Sequence, residues 1–271
     1  MTAQFDTAKP NSARMYDYWL GGKDNFEADR VAAEAVRALR PNVAEQALDN
    51  KRFQTRAVGY LAEQGVRQYL DVGSGLPTSP HPGVGSPPRW RPTHEAAAAA
   101  DPLVAYVDYD PVAVLHSQVL LAGGSRRVVA VQGDMRDPAA ILGHDDIREA
   151  GLDLDAPVGL VLACVLHFVD AGTARDIVAA FTAALSPGSY VIASVGYEQD
   201  AGGDGFARTY NSQAGPRIYA HSWAEITALF DGLELIPPGI ADTAAWRPGG
   251  QETGLPERSS MIVGGVGRKA G

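Results

Sequence analysis

The chain has 271 residues, 45% of them hydrophobic, and a formal net charge of −9. This length can bury a substantial core in one large domain with an appended segment, and no apolar run approaches the roughly 20 residues that cross a bilayer. An acidic surface repels nucleic acid, so the charge favours small-molecule or protein partners over nucleic acid. The N-terminus lacks the cationic start and apolar core of a secretory signal, so we expect a cytoplasmic protein with no membrane partner.

Three helical segments are predicted between residues 12 and 65. They are SARMYDYWL, NFEADRVAAEAVRALR and NVAEQALDNKRFQTRAVGYLAEQG, with breaks at 21–22 and 41–42. In the third segment apolar residues recur at three- and four-residue steps, as one buried stripe requires; they are Val43, Ala47, Phe53, Ala57 and Leu61. We therefore expect an N-terminal helical layer, residues 1–66, packed on a domain of residues 67–271.

From Tyr69 onward, β-rich runs alternate with helical ones. The runs are YLDVG, LVAYVD, RVVAVQG, VGLVLACVL and SYVIASV. Continuous apolar strands joined by helices are typical of a parallel sheet covered on both faces. The tail carries GLELIPPGI and SMIVGGVGRK without an intervening helix, which indicates an antiparallel pair. The sequence predicts a doubly wound, Rossmann-like α/β sheet, mostly parallel, with a mobile loop in YEQDAGGDGFARTYN.

The first strand ends in a glycine turn, LDVGSG, whose backbone could approach a ligand closely. A dinucleotide-binding turn would have a third glycine where this chain has Thr78, and rarely has an acid at the position of Asp71. We therefore favour S-adenosylmethionine, which carries a sulfonium and an ammonium, over NAD, and expect Asp71, Gly73, Ser74 and Gly75 to bind it. A strand end with a tight turn and no ligand is the alternative.

Acidic residues recur at the ends of the next two strands. Asp108 closes LVAYVD, Asp110 follows in the turn, and Asp134 closes VVAVQGD. Ligands of open parallel sheets lie outside the carboxyl ends of the strands, so these acids should converge on the glycine turn. We expect Asp108 to bind ribose hydroxyls, with Tyr109 and Asp110 beside it, and Asp134 with Met135 to meet the adenine.

Helix capping is the alternative function for two of the acids. Asp110 and Asp137 each precede a proline that can start a helix.

The fourth strand run ends in ACVLHFVD, which puts His167 and Asp170 at the same edge of the sheet. A histidine there can orient a substrate or take a proton, and a hydrogen-bonded core histidine is an equal alternative. Tyr16 and Tyr197 are weaker candidate bases. The apolar neighbours of Cys164 favour a buried packing role over a nucleophile. No second histidine lies at metal-ligand spacing, so we expect no metal.

The segment ARMYDYWLGGKDNF concentrates aromatic and charged side chains in front of the sheet domain. One interpretation is an amphipathic helix packed on the domain through Met15, Tyr18 and Trp19. The other is a lid over the strand ends that excludes water and aligns the reactants. The residues that the lid would place near cofactor or substrate are Tyr16, Tyr18, Lys23 and Asp24.

Seven stretches resemble, nearly end to end, the S-adenosyl methyltransferase family that was formerly catalogued as a domain of unknown function. They are PNSARMYDYWLGGKDNFEADR, YLDVGSGLPT, YVDYDPVAVLHS, VLACVLHFVD, LSPGSYVIAS, FDGLELIPPGI and GGVGRK. The resemblance implies a class I methyltransferase fold with a seven-stranded sheet. It also implies S-adenosylmethionine bound at Gly73, Gly75, Asp108 and Asp134, and it leaves the methyl acceptor open.

One insertion departs from the family pattern. After GLPT the chain carries SPHPGVGSPPRWRP, a semi-rigid loop whose prolines should delay the next helix to about Thr93. Thr93 would then cap HEAAAAA.

We expect an S-adenosylmethionine-dependent methyltransferase acting on a small molecule, with His167 as the candidate base. A sensor or scaffold that binds the same cofactor without turnover is the alternative from another class. An NAD-dependent oxidoreductase is disfavoured by Thr78 and by the antiparallel tail.

Overall fold

The computed structural model describes residues 6–80, 88–121, 127–197, 206–213, 217–247 and 261–271. Residues 81–87 of the proline-rich insertion and residues 198–205 of the predicted mobile loop lie outside these ranges.

Helices and strands follow the predicted order. The helices are α1 Ser12–Trp19, α2 Glu27–Leu39, α3 Val43–Glu63, α4 Thr93–Ala96, α5 Pro111–Leu121, α6 Pro138–Leu142, α7 Asp145–Glu149, α8 Ala171–Ala184, α9 Phe206–Gln213 and α10 Trp223–Ala228. The strands are β1 Gln68–Val72, β2 Leu103–Asp108, β3 Val128–Gln132, β4 Gly159–Ala163, β5 Tyr190–Gly196, β6 Leu233–Leu235, β7 Ala241–Asp242 and β8 Ile262–Lys269.

The strands form one sheet in the order β3-β2-β1-β4-β5-β8-β6, and β7 adds an eighth strand by pairing with β8. β1 to β5 are parallel, whereas β8 runs antiparallel to β5, β6 and β7. The predicted doubly wound sheet with an antiparallel C-terminal pair is confirmed. The strand order reverses between β1 and β4, so the carboxyl ends of these two strands flank the crevice in which such sheets bind ligands.

Two hydrophobic clusters cover the two faces of the sheet. Tyr69 belongs to one cluster and Leu70 to the other, because successive side chains of a strand point to opposite faces. Phe53 of α3 lies with Tyr69, and Phe181 of α8 lies with Leu70. All five residues of the predicted α3 stripe are buried, and full burial of each large apolar side chain contributes about 1.5–3 kcal/mol.

α1 and α2 are held together by one buried carboxylate. Arg14 Nε lies 2.7 Å from Asp29 Oδ2, and both side chains are at most 4% exposed. Asp29 also accepts hydrogen bonds from the backbone N–H groups of Asn11 and Phe26, each at 2.8 Å. These bonds compensate for the desolvation of the two buried charges. The predicted division between residues 66 and 67 falls between α3 and β1.

The predicted cap at Thr93 is wrong. Thr93 is the first residue of α4, and its hydroxyl accepts no N–H of the helix; it donates to Asp71 Oδ2 at 2.6 Å. α4 ends at Ala96 and a 3₁₀ turn follows at Ala98–Ala100, so the helix is shorter than predicted.

The capping alternative is confirmed for both acids that precede proline. Asp110 Oδ1 accepts the Val112 N–H at 2.8 Å, and Asp137 Oδ1 accepts the Ala140 N–H at 3.0 Å.

Candidate active site

A cavity of about 400 Å³ lies at the carboxyl ends of β1, β2, β4 and β5. Its volume falls in the range of small-molecule sites, roughly 300–1,000 Å³. The walls come from the glycine turn after β1, the acidic turns after β2 and β3, the ends of β4 and β5, and the helices α1 and α3. The cavity therefore occupies the switch point of the sheet.

The two glycines of the turn serve different purposes. Both have φ of +72°, where side chains are strained. A Cβ at Gly73 would lie 2.2 Å from Val165 Cγ1, so packing against the protein itself requires this glycine. A Cβ at Gly75 would meet no atom within 4 Å. Gly75 lines the cavity, so the space next to its backbone is open. Gly75 and its neighbour Ser74, which also lines the cavity, thus fit a cofactor that approaches the backbone closely.

Asp108 lines the cavity. Oδ2 accepts the Gly75 N–H at 2.7 Å, and Oδ1 accepts the Asp110 N–H at 2.9 Å. Burial raises the pKa of Asp108, while these two N–H groups act in the opposite direction. Each oxygen retains acceptor capacity, so the arrangement suits the two hydroxyls of a ribose.

The predicted adenine neighbours lie on the wall beyond Asp108. Asp134 and Met135 both line the cavity. The Nε of Arg136 donates to Asp134 Oδ1 at 2.9 Å, and this bond lowers the pKa of Asp134. Tyr109 also lines the cavity although its side chain is 68% exposed, so it forms part of the rim.

Asp71 does not line the cavity. Its Oδ2 accepts the Gln54 amide at 2.8 Å and the Thr93 hydroxyl at 2.6 Å, and the residue is 3% exposed. Burial raises its pKa, and the positive charge of Lys51 opposes that shift more than either hydrogen bond does. Lys51 does line the cavity.

α1 forms one wall of the cavity and is tied to the loops after β1 and β2. The Asn11 amide donates to Asp110 Oδ2 at 2.7 Å, and the Thr78 hydroxyl donates to Asp17 Oδ1 at 2.6 Å. Asp110, Asn11, Asp17 and Thr78 all line the cavity.

The Asp17 carboxylate accepts several hydrogen bonds that fix the turn after α1. It is 1% exposed and also accepts the backbone N–H of Asp24 at 3.0 Å and the Asn25 amide at 2.9 Å. A Cβ at Gly22 would lie 1.9 Å from Asp17 Oδ1, so only glycine lets the chain pass this close. Gly22 therefore has a packing function, whereas Gly21 supplies the backbone angle of the turn, with φ of +84°.

Three residues assigned to the predicted lid do not line the cavity: Tyr18, Lys23 and Asp24. The Tyr18 hydroxyl donates to Glu34 on α2 at 2.8 Å, which directs it away from the cavity. The Asp24 carboxylate lies 3.7 Å from His116 on α5.

A polar network crosses the cavity floor. The Tyr16 hydroxyl donates to the Ala47 carbonyl at 3.0 Å and accepts the Asn50 amide at 3.0 Å. Asn50 Oδ1 accepts the Ser194 hydroxyl at 2.6 Å, and Ser194 Oγ accepts the Cys164 N–H at 3.0 Å. Burial raises the pKa of Tyr16 well above its ordinary value. The network joins α1, α3, β5 and the end of β4.

His167 lines the cavity from a short 3₁₀ turn, Leu166–Phe168. Burial lowers its pKa to about 4, with a further contribution from His221. Nδ1 is buried without a hydrogen-bond partner in the described part of the chain, so the expected core hydrogen bond is not formed at this atom. Asp170 caps α8 through Thr173 and is not part of the cavity wall.

Cys164 differs from the buried packing residue that its neighbours predict. It is half-buried, has φ of +57°, and lines the cavity directly after β4. Burial raises its pKa to about 12, so the thiol is protonated near neutral pH and is not an activated nucleophile. Tyr197, at the end of β5, also lines the cavity.

Sequence reasoning missed the contribution of α3. Gln46, Asn50 and Lys51 line the cavity, and Gln54 holds Asp71. Gln46, Asn50 and Gln54 follow one another at four-residue steps and are all buried. A stripe of amides at helical spacing, on a helix that also carries a buried apolar stripe, was the available signal.

In the described residues, no three His, Cys, Asp or Glu side chains are grouped so that they could hold a metal ion. None of the described helices has the length and apolarity to span a membrane.

The sequence profile of the S-adenosyl methyltransferase family matches residues 1–270. The fold is similar to a candidate methyltransferase from Thermobifida fusca YX, with 35% identity, TM-score 0.83, and 98% of this chain and 97% of that chain covered. It is also similar to a DUF574 family protein from Streptomyces avermitilis MA-4680, with 36% identity, TM-score 0.85, and 97% of this chain and 99% of that chain covered.

Magnesium protoporphyrin IX methyltransferase from Synechocystis PCC 6803, solved with bound SAH, has 13% identity and TM-score 0.51, with 84% of this chain and 87% of that chain covered. This likeness shows the fold alone. No functionally curated protein matches the chain. The whole-length profile match and the two relatives above 30% identity agree with the cavity at the switch point, and the chain belongs to the S-adenosyl methyltransferase family.

Proposed function

We propose that this protein transfers the methyl group of S-adenosylmethionine to a small-molecule acceptor. One observation carries the proposal: the cavity that contains Gly75 and Asp108 also extends to His167 and Tyr197 at the ends of β4 and β5. The cofactor residues and a separate set of groups able to bind an acceptor therefore face the same space.

At the cofactor end, the chain contributes binding and orientation. S-adenosylmethionine supplies a methyl group that its positive sulfur already activates, so the protein has mainly to align the reactants. Asp108 accepts hydrogen bonds from the ribose hydroxyls, Gly75 admits the cofactor next to the backbone, and Asp134 with Met135 borders the adenine.

At the acceptor end, the cavity wall is largely apolar and aromatic. Its members include Phe168, Tyr210, Ile218, Tyr219 and Met261. Such walls bind ligands with an apolar or aromatic body and use a few polar groups for orientation. We therefore assign a small acceptor with an apolar or aromatic body to this end.

His167 is the proposed proton acceptor. Because its pKa is about 4, the imidazole is neutral near pH 7 and can accept a hydrogen bond from an acceptor hydroxyl. It can take the hydroxyl proton once methyl transfer to the oxygen has made that proton strongly acidic. Tyr16 has a different role in the proposal. Its hydroxyl donates a hydrogen bond to the Ala47 carbonyl and its raised pKa keeps the proton bound, so Tyr16 forms part of the cavity wall and does not act as a base.

α1 supplies the wall that would exclude water from the reaction. Asn11 and Asp17 hold this helix to the loops that bind the cofactor, so cofactor binding and closure of the wall are coupled. A helix across the cavity also favours a small acceptor over a protein side chain.

The test uses S-adenosylmethionine with an isotopically labelled methyl group and a pool of small molecules from a cell extract. Mass spectrometry should find the label in at least one small molecule, together with S-adenosylhomocysteine. His167→Ala should reduce the rate at least about tenfold, whereas His116→Gln, on α5 and outside the cavity wall, should not.

Calorimetry on the same protein separates the alternatives. Binding of S-adenosylmethionine without transfer to any molecule would favour the sensor or scaffold. Label recovered only in protein would contradict a small-molecule acceptor, and binding of NAD alone would contradict the cofactor assignment.

A further inference from the structure

Lys51 is a cationic group in the cavity wall that the mechanism above does not use. Its Nζ lies 3.4 Å from Gln54 Oε1 and 5.9 Å from the centre of the Tyr16 ring. Within the part of the chain that the structure describes, it has no carboxylate within 4.0 Å. Lys51 is half-buried, and an ammonium that is partly removed from water without an ionic partner is unfavourable. Its position in a ligand cavity therefore indicates a place for an anionic group of the ligand.

Two acids act on Lys51 from a distance. Burial lowers the pKa of Lys51, and the charges of Asp71 and Asp108 oppose that shift, Asp71 most strongly. Asp71 itself is outside the cavity wall, and its Oδ2 is taken by Gln54 and Thr93. Asp71 therefore favours the charged form of Lys51 without competing for a ligand in the cavity.

The position of Lys51 identifies the part of the cofactor that it can reach. Asp108 and Asp134 follow β2 and β3, on one side of the switch point, and are assigned to the ribose and adenine. Lys51 lies next to Tyr16, whose hydrogen bonds lead through Asn50 and Ser194 to Cys164. Cys164 follows β4, on the other side of the switch point. The methionyl end of the cofactor should extend toward β4, and its carboxylate is the one anionic group of S-adenosylmethionine.

We propose that Lys51 binds the methionyl carboxylate of S-adenosylmethionine. The proposal rests on the methyltransferase function proposed above. A charge-assisted hydrogen bond of about 2.7–2.9 Å between Nζ and a carboxylate oxygen would compensate for the desolvation of both groups. The sequence pattern assigned Asp71 to the cationic groups of the cofactor, whereas this arrangement makes Asp71 a positioning residue that acts through Lys51.

The experiment compares two ligands by calorimetry. S-adenosylmethionine has the carboxylate, and 5′-methylthioadenosine lacks the whole amino acid portion while keeping the adenosine. Lys51→Met should weaken binding of S-adenosylmethionine about 10- to 100-fold, as expected for loss of a hydrogen bond between charged groups. It should change binding of 5′-methylthioadenosine by less than about twofold, and Lys51→Arg should restore most of the affinity for S-adenosylmethionine.

Two further variants control for charge and folding. Lys9→Met removes the same charge from a side chain that is 82% exposed and should leave both affinities unchanged. If Lys51→Met does not fold, the double variant Lys51→Met with Asp71→Asn removes both charges together and should show the same selective loss.

The outcomes are distinct. Equal weakening for both ligands, or unchanged affinity for S-adenosylmethionine, would overturn the Lys51 assignment and leave the methyltransferase function standing. Failure of the unaltered protein to bind S-adenosylmethionine would overturn both.

Discussion

The hydroxyl of Thr78, after β1, donates a 2.6 Å hydrogen bond to the buried carboxylate of Asp17, at the end of α1. This bond links the wall helix to the loop that follows the glycine turn. Thr78→Val keeps the shape and removes the donor, so we expect the free energy of unfolding to fall by about 1.5–3 kcal/mol. Urea denaturation measures this loss, and calorimetry should show weaker binding of S-adenosylmethionine. Thr7→Val, at an exposed position, should change neither quantity.

Gly22→Ala and Gly59→Ala should have opposite effects on stability. The new Cβ at position 22 would collide with Asp17, and the resulting shift should cost about 1–3 kcal/mol. The new Cβ at position 59, inside α3, meets no atom within 4 Å and should stabilise the helix by about 0.5–1 kcal/mol. Thermal denaturation of both variants measures the two effects. Equal melting temperatures for Gly22→Ala and Gly59→Ala would show that the turn at residue 22 adapts without loss of stability.

His167 should make the protein less stable as the pH falls. Its pKa is about 4 in the folded chain, below its ordinary value of 6.5, so between these values the unfolded chain binds a proton that the folded chain does not. Above pH 6.5 His167 is neutral in both states and does not change the free energy of unfolding. From pH 6.5 down to pH 4 the free energy of unfolding should fall by at most about 1.4 kcal/mol per pH unit.

Comparison with His167→Gln isolates this effect in urea denaturation at pH 7.5 and pH 5. Buried Asp71 and Asp108 have raised pKa values, so they bind more protons in the folded chain and change stability in the opposite direction. Because these acids are present in both proteins, the difference between the two pH profiles belongs to His167. Parallel profiles would contradict the neutral, buried imidazole.

Asp108→Asn should weaken cofactor binding about 10- to 100-fold, because the amide cannot accept both backbone N–H groups and the ribose hydroxyls. Calorimetry with S-adenosylmethionine measures the loss. Asp137→Asn is the matched control, since Asp137 also accepts a backbone N–H but lies outside the cavity wall. Similar losses in both variants would point to a general effect of charge.

The strands could be predicted because buried parallel strands leave continuous apolar runs, and the cavity could be located because acids follow several of those runs. The orientation of the Asp71 side chain was harder to predict. In β1 it shares a face with Tyr69, which packs under Phe53 of α3. Alternation along the strand therefore contained the information that Asp71 points toward α3 and not into the cavity.

The spacing of amides on α3 indicates a buried polar face, but the sequence does not show that Lys51 and Asn50 reach the cavity. They lie before β1 in the chain, and only the packing of α3 against the sheet brings them to the strand ends. The same applies to Asn11, whose partner Asp110 is 99 residues away. Local patterns predict helices, strands and turns. Contacts between residues this far apart in the sequence depend on how the helices pack against the sheet.

Asp29 has a consequence for how the cavity could open. By binding Arg14 and the backbone at residues 11 and 26, one carboxylate connects the N-terminal end of α1 to the N-terminus of α2. Unwinding α1 alone would leave the buried Asp29 carboxylate without its Arg14 partner, which is unfavourable. We therefore expect ligands to enter and leave through rotation of α1 and α2 as one rigid body about the connection at residues 40–42. This rotation must break the hydrogen bonds of α1 to Thr78, to Asp110 and to α3.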